Sequence, residues 1–286
     1  MQLFDCLVAL TAMNASRVGR TQQTELGERT KWRWVGLRVL LAEDNPINQK
    51  VVVRMLEKFG CRCDAVGNGT EAVAMFSQAP YDVILMDCQM PVMDGFEATR
   101  AIRALEKNRQ KTPIVALTAN ALPGDRERCL KAGMNDYLPK PIIREDLLDV
   151  LIRWTAPDTR RTRSTKAAAT RKGQKPVFDL KRLKEISDGD AKFLKQLLAG
   201  FVRDTESRIQ DLRAMIEKKD AKAIRSVSHA IKGAASNVGA LGMSRLAKHI
   251  VGLSDTRDIP AMKAELRKMG VEMQKIRKFV SEEAIL

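Results

Sequence analysis

The sequence predicts an α/β domain built on a doubly wound five-stranded parallel sheet, followed by an all-α antiparallel helical bundle. Three observations carry this reading. Between residues 37 and 138 short apolar runs alternate with segments of helical spacing, the pattern of a parallel sheet covered by helices. Beyond Pro176 no strand signal remains, and the apolar residues recur at helical spacing only. Between the two patterns lies a strongly basic stretch, 155–176, that has neither periodicity.

The elements follow in order. Leu37–Ala42 is a buried strand, and Asn45-Pro46 behind it suits the cap and first turn of a helix. That helix carries Ile47, Val51, Met55 and Phe59 at four-residue spacing. Cys61–Val66 is the second strand, and Gly67-Asn68-Gly69-Thr70 turns into a helix through Phe76. Val83–Met86 is an unbroken apolar run that ends in Asp87, followed by a turn on Pro91 and Gly95. A helix then runs to about Lys107, Pro113–Thr118 is the fourth strand, and another helix reaches Ala132. Asn135–Leu138 is the fifth strand, ending in Pro139-Lys140-Pro141, and a helix over about 143–154 closes the domain.

In such a sheet the chemistry sits at the carboxyl ends of the strands. Strand one delivers Glu43 and Asp44, strand three Asp87, strand four Thr118 and strand five Lys140. Three carboxylates brought together repel one another, and a hard divalent cation with oxygen ligands relieves that repulsion. Mg2+ also neutralises phosphoryl oxygens. A hydroxyl and an ammonium beside it suit a phosphoryl group added to Asp87. The plain alternative for Asp87 alone, a turn-capping acid, loses force once the other strand ends are counted.

Residues 37–154 resemble a response-regulator receiver domain of flavodoxin-like fold, through Glu43-Asp44, LMDCQMPVMDG around Asp87, Thr118, and Lys140 in LPKP. AEDNPINQ is similar to receivers attached to hybrid sensor kinases. The resemblance implies that Glu43, Asp44, Asp87 and the carbonyl of Gln89 hold Mg2+. It implies that Asp87 attacks a phosphohistidine to become a 4-aspartylphosphate. Thr118 and Tyr137 would then form the switch, while Gln89 and Asn120 tune the lifetime of the acyl phosphate.

In the second domain, helices are expected over Phe178–Ile186 with Asp179 as cap, Ala191–Lys219, Ala221–Val238, Leu241–Leu253 and Pro260–Val280, an antiparallel bundle. At about 100° per residue, Ile224, Val227, Ile231 and Val238 share a core-facing arc. His229 falls on the opposite side, so it is expected to be exposed. Lys232, one turn on, could steady a phosphoryl group, and Gly233 removes a side chain where a partner must come close. HAIKGAASNVGA resembles the histidine-phosphotransfer (HPt) motif, which implies that His229 becomes phosphohistidine with Lys232 as its electrostatic helper. His249 matches no such motif and reads as structural.

Composition narrows the rest. The chain has 286 residues and a formal net charge of +15. Residues 37–154 are neutral overall, whereas 155–176 carry seven Lys/Arg against one Asp/Glu and 177–286 carry 22 against 15. Such basicity can contact phosphates, but the lack of stacking aromatics and of a reading helix disfavours nucleic-acid recognition. Five cysteines, none in a CxxC pair, and two histidines argue against zinc and for a reduced, cytoplasmic chain. The apolar stretch 6–13 is too short to span a bilayer and lacks the basic flank of a signal peptide. No role follows for residues 1–36.

Together these features point to a two-component phosphorelay protein with a receiver over 37–154, a flexible linker over 155–176 and an HPt bundle over 177–286. Its expected partners are a sensor histidine kinase and a downstream response-regulator receiver. No Walker loop, ATP lid or second dimerisation histidine is found, so the chain does not read as an ATP-using kinase by itself. A C-terminal piece of a hybrid histidine kinase would look the same. The rival readings are a phosphorylation-gated adaptor and a DNA-binding response regulator.

Overall fold

The computed structural model describes residues 36–106, 111–118, 123–155 and 177–283. The expectations for residues 1–35, Asn120 and 156–176 lie outside them. Among the described residues, five parallel strands form one sheet in the order β2-β1-β3-β4-β5. These are β1 Arg38–Ala42, β2 Arg62–Val66, β3 Val83–Asp87, β4 Ile114–Thr118 and β5 Asp136–Pro139. The connecting helices are α1 Pro46–Lys58, α2 Gly69–Gln78, α3 Gly95–Glu106, α4 Pro123–Lys131 and α5 Arg144–Thr155. The order reverses between β1 and β3, the place where such sheets open a crevice at their carboxyl rim.

Strand alternation divides the core. Val39 and Leu41 face one side with Val51, Leu56, Leu147 and Leu151, while Leu40 and Ala42 face the other with Ile84, Met86 and Ile102. The strands are apolar on both faces because helices cover both faces. Asn45 caps α1 as expected, its side chain accepting from the N–H groups of Ile47 and Asn48, with Pro46 in the first turn.

The bundle consists of α6 Leu180–Ser187, α7 Ala191–Lys218, α8 Ala221–Asn237, α9 Leu241–Thr256 and α10 Ile259–Glu283. Asp179, Asp190 and Asp220 cap α6, α7 and α8, each accepting a backbone N–H three residues on. Ile224, Ile231 and Val238 are buried on the core side of α8 as the periodicity requires.

The two domains are docked. α1 packs on α6, α7 and α8, and the apolar cluster under the sheet continues through Ile47 and Val51 to Phe178, Leu197 and Phe201 of the bundle. A Cβ on Gly200 of α7 would stand 3.2 Å from the Ile47 side chain, so the helices meet closely there. Arg54 of α1 pairs with Asp190 at 2.6 Å and lies over the Phe193 ring at 5.0 Å, and Lys58 pairs with Asp188. The composition of 155–176 predicted a flexible linker and left this docking open, because no local pattern encodes contacts made so far apart in the chain.

Candidate functional site

The strand ends converge as predicted. One carboxylate oxygen from each of Glu43, Asp44 and Asp87 lies within 4.8 Å of the other two. Lys140 sits between two of them, its Nζ donating to Glu43 Oε2 and Asp87 Oδ2, both at 2.7 Å. Glu43 and Asp87 are almost fully buried, and the Lys140 side chain is 4% exposed. Burial pushes the Glu43 and Asp87 carboxyls up, and Lys140 pulls both back. Burial first and Glu43 second raise Asp44 to about 6. Desolvation would lower Lys140, but Asp87 and Glu43 overrule it and hold the ammonium charged. Three carboxylates against one ammonium leave an excess of negative charge. These hard oxygen donors fit a divalent cation, as the sequence suggested.

The Asp87 loop is held tightly. Gln89 N–H donates to Asp87 Oδ1 at 3.2 Å, and Gly95 N–H to the Cys88 carbonyl at 3.3 Å. A Cβ on Gly95 would lie 2.1 Å from the Asp87 carbonyl oxygen, so only glycine lets α3 begin there. Thr118 is buried at the end of β4, where its carbonyl accepts the Lys140 N–H at 2.7 Å. Tyr137 on β5 is half-buried against the cluster that contains Ile84 and Ala116.

His229 departs from its expectation. It is half-buried, not exposed, because the receiver-like domain covers that side of α8. Asp44, Gln89, Met90, Arg128, Arg225 and His229 line one cavity of about 670 Å3 between the domains. Desolvation, reinforced by the positive charges of Lys140, Lys232 and Arg225, lowers the imidazole to about 3. The ring is therefore neutral at physiological pH. Lys232 is half-buried near it, its ammonium lowered by burial and by Lys248 and Lys140. Gly233 does face the other domain, yet a Cβ there would meet Asn48 Nδ2 at 3.4 Å, ordinary contact. His249 is exposed on α9 beside Glu265, apart from this cavity.

Sequence reasoning missed three groups at the domain contact. Asn237 Nδ2–H donates to Asn48 Oδ1 at 2.7 Å, and the Ile142 N–H donates to Asn237 Oδ1 at 3.1 Å. Arg182 donates through Nε to the Asn237 carbonyl and through Nη2 to the Ile142 carbonyl. Asn48 and Asn237 are 189 residues apart, and nothing local to either announces the other.

Acidic groups and an imidazole thus stand on opposite walls of one cavity, and the chain combines two domains of the kind found in two-component signalling proteins. More particularly, it carries a response regulator receiver domain, whose family model matches residues 39–152, followed by an Hpt domain, matched over residues 196–275. It is 35% identical over 207 residues to the sensor protein GacS of Pseudomonas syringae pv. syringae, covering 71% of this chain and 23% of that protein. It is 48% identical over 126 residues to hybrid signal transduction histidine kinase B of Dictyostelium discoideum, covering 41% of this chain and 6% of that protein. The chain thus spans less than a quarter of the length of these curated relatives. Among solved structures, the receiver domain of sensor histidine kinase PA1611 from Pseudomonas aeruginosa PAO1 has a magnesium ion coordinated in its active site cleft. It is 53% identical, with 43% of this chain and 99% of that chain covered and a TM-score of 0.40. Among the described residues no helix is long and apolar enough to cross a membrane.

Proposed function

We propose that Asp87 accepts a phosphoryl group from the phosphohistidine of a sensor kinase and exchanges it with His229 of the same chain. His229 in turn gives it to, or takes it from, the aspartate of a separate receiver. The observation that carries this reading is the shared cavity, which has Asp44 and Gln89 of the Asp87 pocket on one wall and His229 on the other. Glu43, Asp44, Asp87 and the Gln89 carbonyl would hold Mg2+. When bound, that ion supplies charge neutralisation for the phosphoryl oxygens.

The chain's own groups do the remainder. Lys140 holds Asp87 in place and offers its ammonium to the transferred group. The Asp87 carboxylate attacks phosphorus as the donor's P–N bond breaks, and the donor imidazole leaves. In the onward step a nitrogen of neutral His229 attacks phosphorus, the acyl O–P bond breaks, and the Asp87 carboxylate is restored. A ring lowered to about 3 has its lone pair free for that attack. Lys232 balances charge on the His229 side, and Thr118 and Tyr137 serve as the switch that reads phosphorylation. Positioning and charge carry such a reaction, with little covalent work left to the protein.

The chain divides into an N-terminal segment 1–36, a receiver 37–154, a linker 155–176 and an HPt bundle 177–286. The thiols of Cys61, Cys63 and Cys88, none of them in a disulfide, support a cytoplasmic setting. The test is labelling of the full chain by a small phosphodonor with Mg2+. Wild type should carry label on both residues, His229→Ala on Asp87 alone, and Asp87→Ala on neither. Persistent labelling of the Asp87→Ala receiver would refute the assignment.

A further inference from the structure

A chain of polar contacts runs from the bundle to the acid pocket. Asn237 Nδ2–H reaches Asn48 Oδ1 at 2.7 Å, Asn48 Nδ2–H reaches Glu43 Oε1 at 2.8 Å, and Glu43 shares Lys140 with Asp87. The other end of the Asn237 amide accepts the N–H of Ile142, two residues beyond Lys140. Both partners of this one side chain are therefore a single step from the pocket.

We propose that Asn237, steadied by Arg182, is the positioning residue for phosphoryl exchange between Asp87 and His229, an inference that rests on the exchange proposed above. Asn237 stands eight residues after His229 on the same helix, α8. A rigid helix pinned at Asn237 has its height and rotation set over the pocket, and His229 with it. An asparagine that served only its own bundle would spend its amide there. This one is fully buried and gives both its donor and its acceptor to the other domain. Arg182 completes the grip. Its Nε holds the Asn237 carbonyl and its Nη2 takes the Ile142 carbonyl, so one peptide unit on each side is fixed. Burying a guanidinium is costly, and burial lowers its pKa, yet here two backbone carbonyls meet it. Asn237 and Arg182 read the backbone of Ile142 and the amide of Asn48, so the grip depends on the path of the Lys140–Ile142 turn more than on its side chains.

The test uses the full chain, charged at Asp87 by acetyl phosphate with Mg2+. Acyl phosphate is lost in alkali and phosphohistidine in acid, so passage from Asp87 to His229 can be followed separately from loading. The distance between probes on the two domains reports docking. Asn237→Ala should load Asp87 as wild type does, pass label to His229 about tenfold more slowly, the scale expected for unpairing a buried donor and acceptor, and lengthen the interdomain distance. Asn48→Ala should slow passage similarly, and the double variant should be no slower than the worse single one, because both act through one contact. A thermal melt of Asn237→Ala checks that its bundle is intact. Wild-type passage and distance in Asn237→Ala would overturn the positioning role, as would full additivity in the double variant. If wild type loads Asp87 but never His229, the exchange itself is refuted and the positioning role falls with it.

Discussion

The two proposed phosphoryl sites are built in opposite ways. The Asp87 pocket is self-sufficient: four of its groups come from the ends of β1, β3 and β5, and the same topology that makes the sheet brings them together. The His229 site is completed from outside, since the ring's burial and the Lys140 charge that acts on it are supplied by the other domain. A site made by one domain keeps its character when the domains part, whereas a site made by docking loses it. Removing parts of each site should therefore have different consequences.

The largest effect falls within the self-sufficient site. Lys140→Ala leaves Glu43 and Asp87 buried without their counter-charge, at a cost of ~3–5 kcal/mol. Denaturant unfolding should show that loss, and added Mg2+ should recover more stability in this variant than in wild type. Gly95→Ala comes next. Its Cβ would collide with the Asp87 backbone, costing ~1–3 kcal/mol and slowing acceptance of label by Asp87 from acetyl phosphate. Gly233→Ala, across the cavity, meets Asn48 only at contact distance and should leave stability and docking nearly unchanged.

Acid titration separates the sites further. In the docked chain His229 lies at about 3, below the ~6.5 of a free imidazole. Between those values the open form binds a proton that the docked form does not. Docking is therefore fully supported above pH ~6.5 and weakens as pH falls toward 3. An interdomain distance that lengthens over that range in wild type, and not in His229→Gln, is the expected outcome. The rim pair Lys58–Asp188, partly exposed and screened by salt, should also matter little, and Lys58→Ala should shift docking only slightly.

What the sequence made legible follows the same division. Apolar runs ending in Asp44, Asp87, Thr118 and Lys140 specify both the strands and the convergence of their ends, because a parallel sheet has one carboxyl rim. The helices of the bundle and the core face of α8 were equally readable from periodicity. The surroundings of His229 were not: its side of α8 looks like a solvent face, since the residues that cover it belong to another domain. Asn48, Arg182, Gly200 and Asn237 escaped for the same reason, each carrying a local explanation that leaves its distant partner unseen.

Asp87 and His229 are proposed to exchange a phosphoryl group within one chain. The direct measurement of that exchange is the rate at which label loaded on Asp87 appears on His229 as protein concentration is varied in single-turnover conditions. Wild type should show a first-order rate independent of concentration, and mixed Asp87→Ala and His229→Ala chains a slower, concentration-dependent one. A wild-type rate that rises in proportion to protein concentration would contradict exchange within one chain.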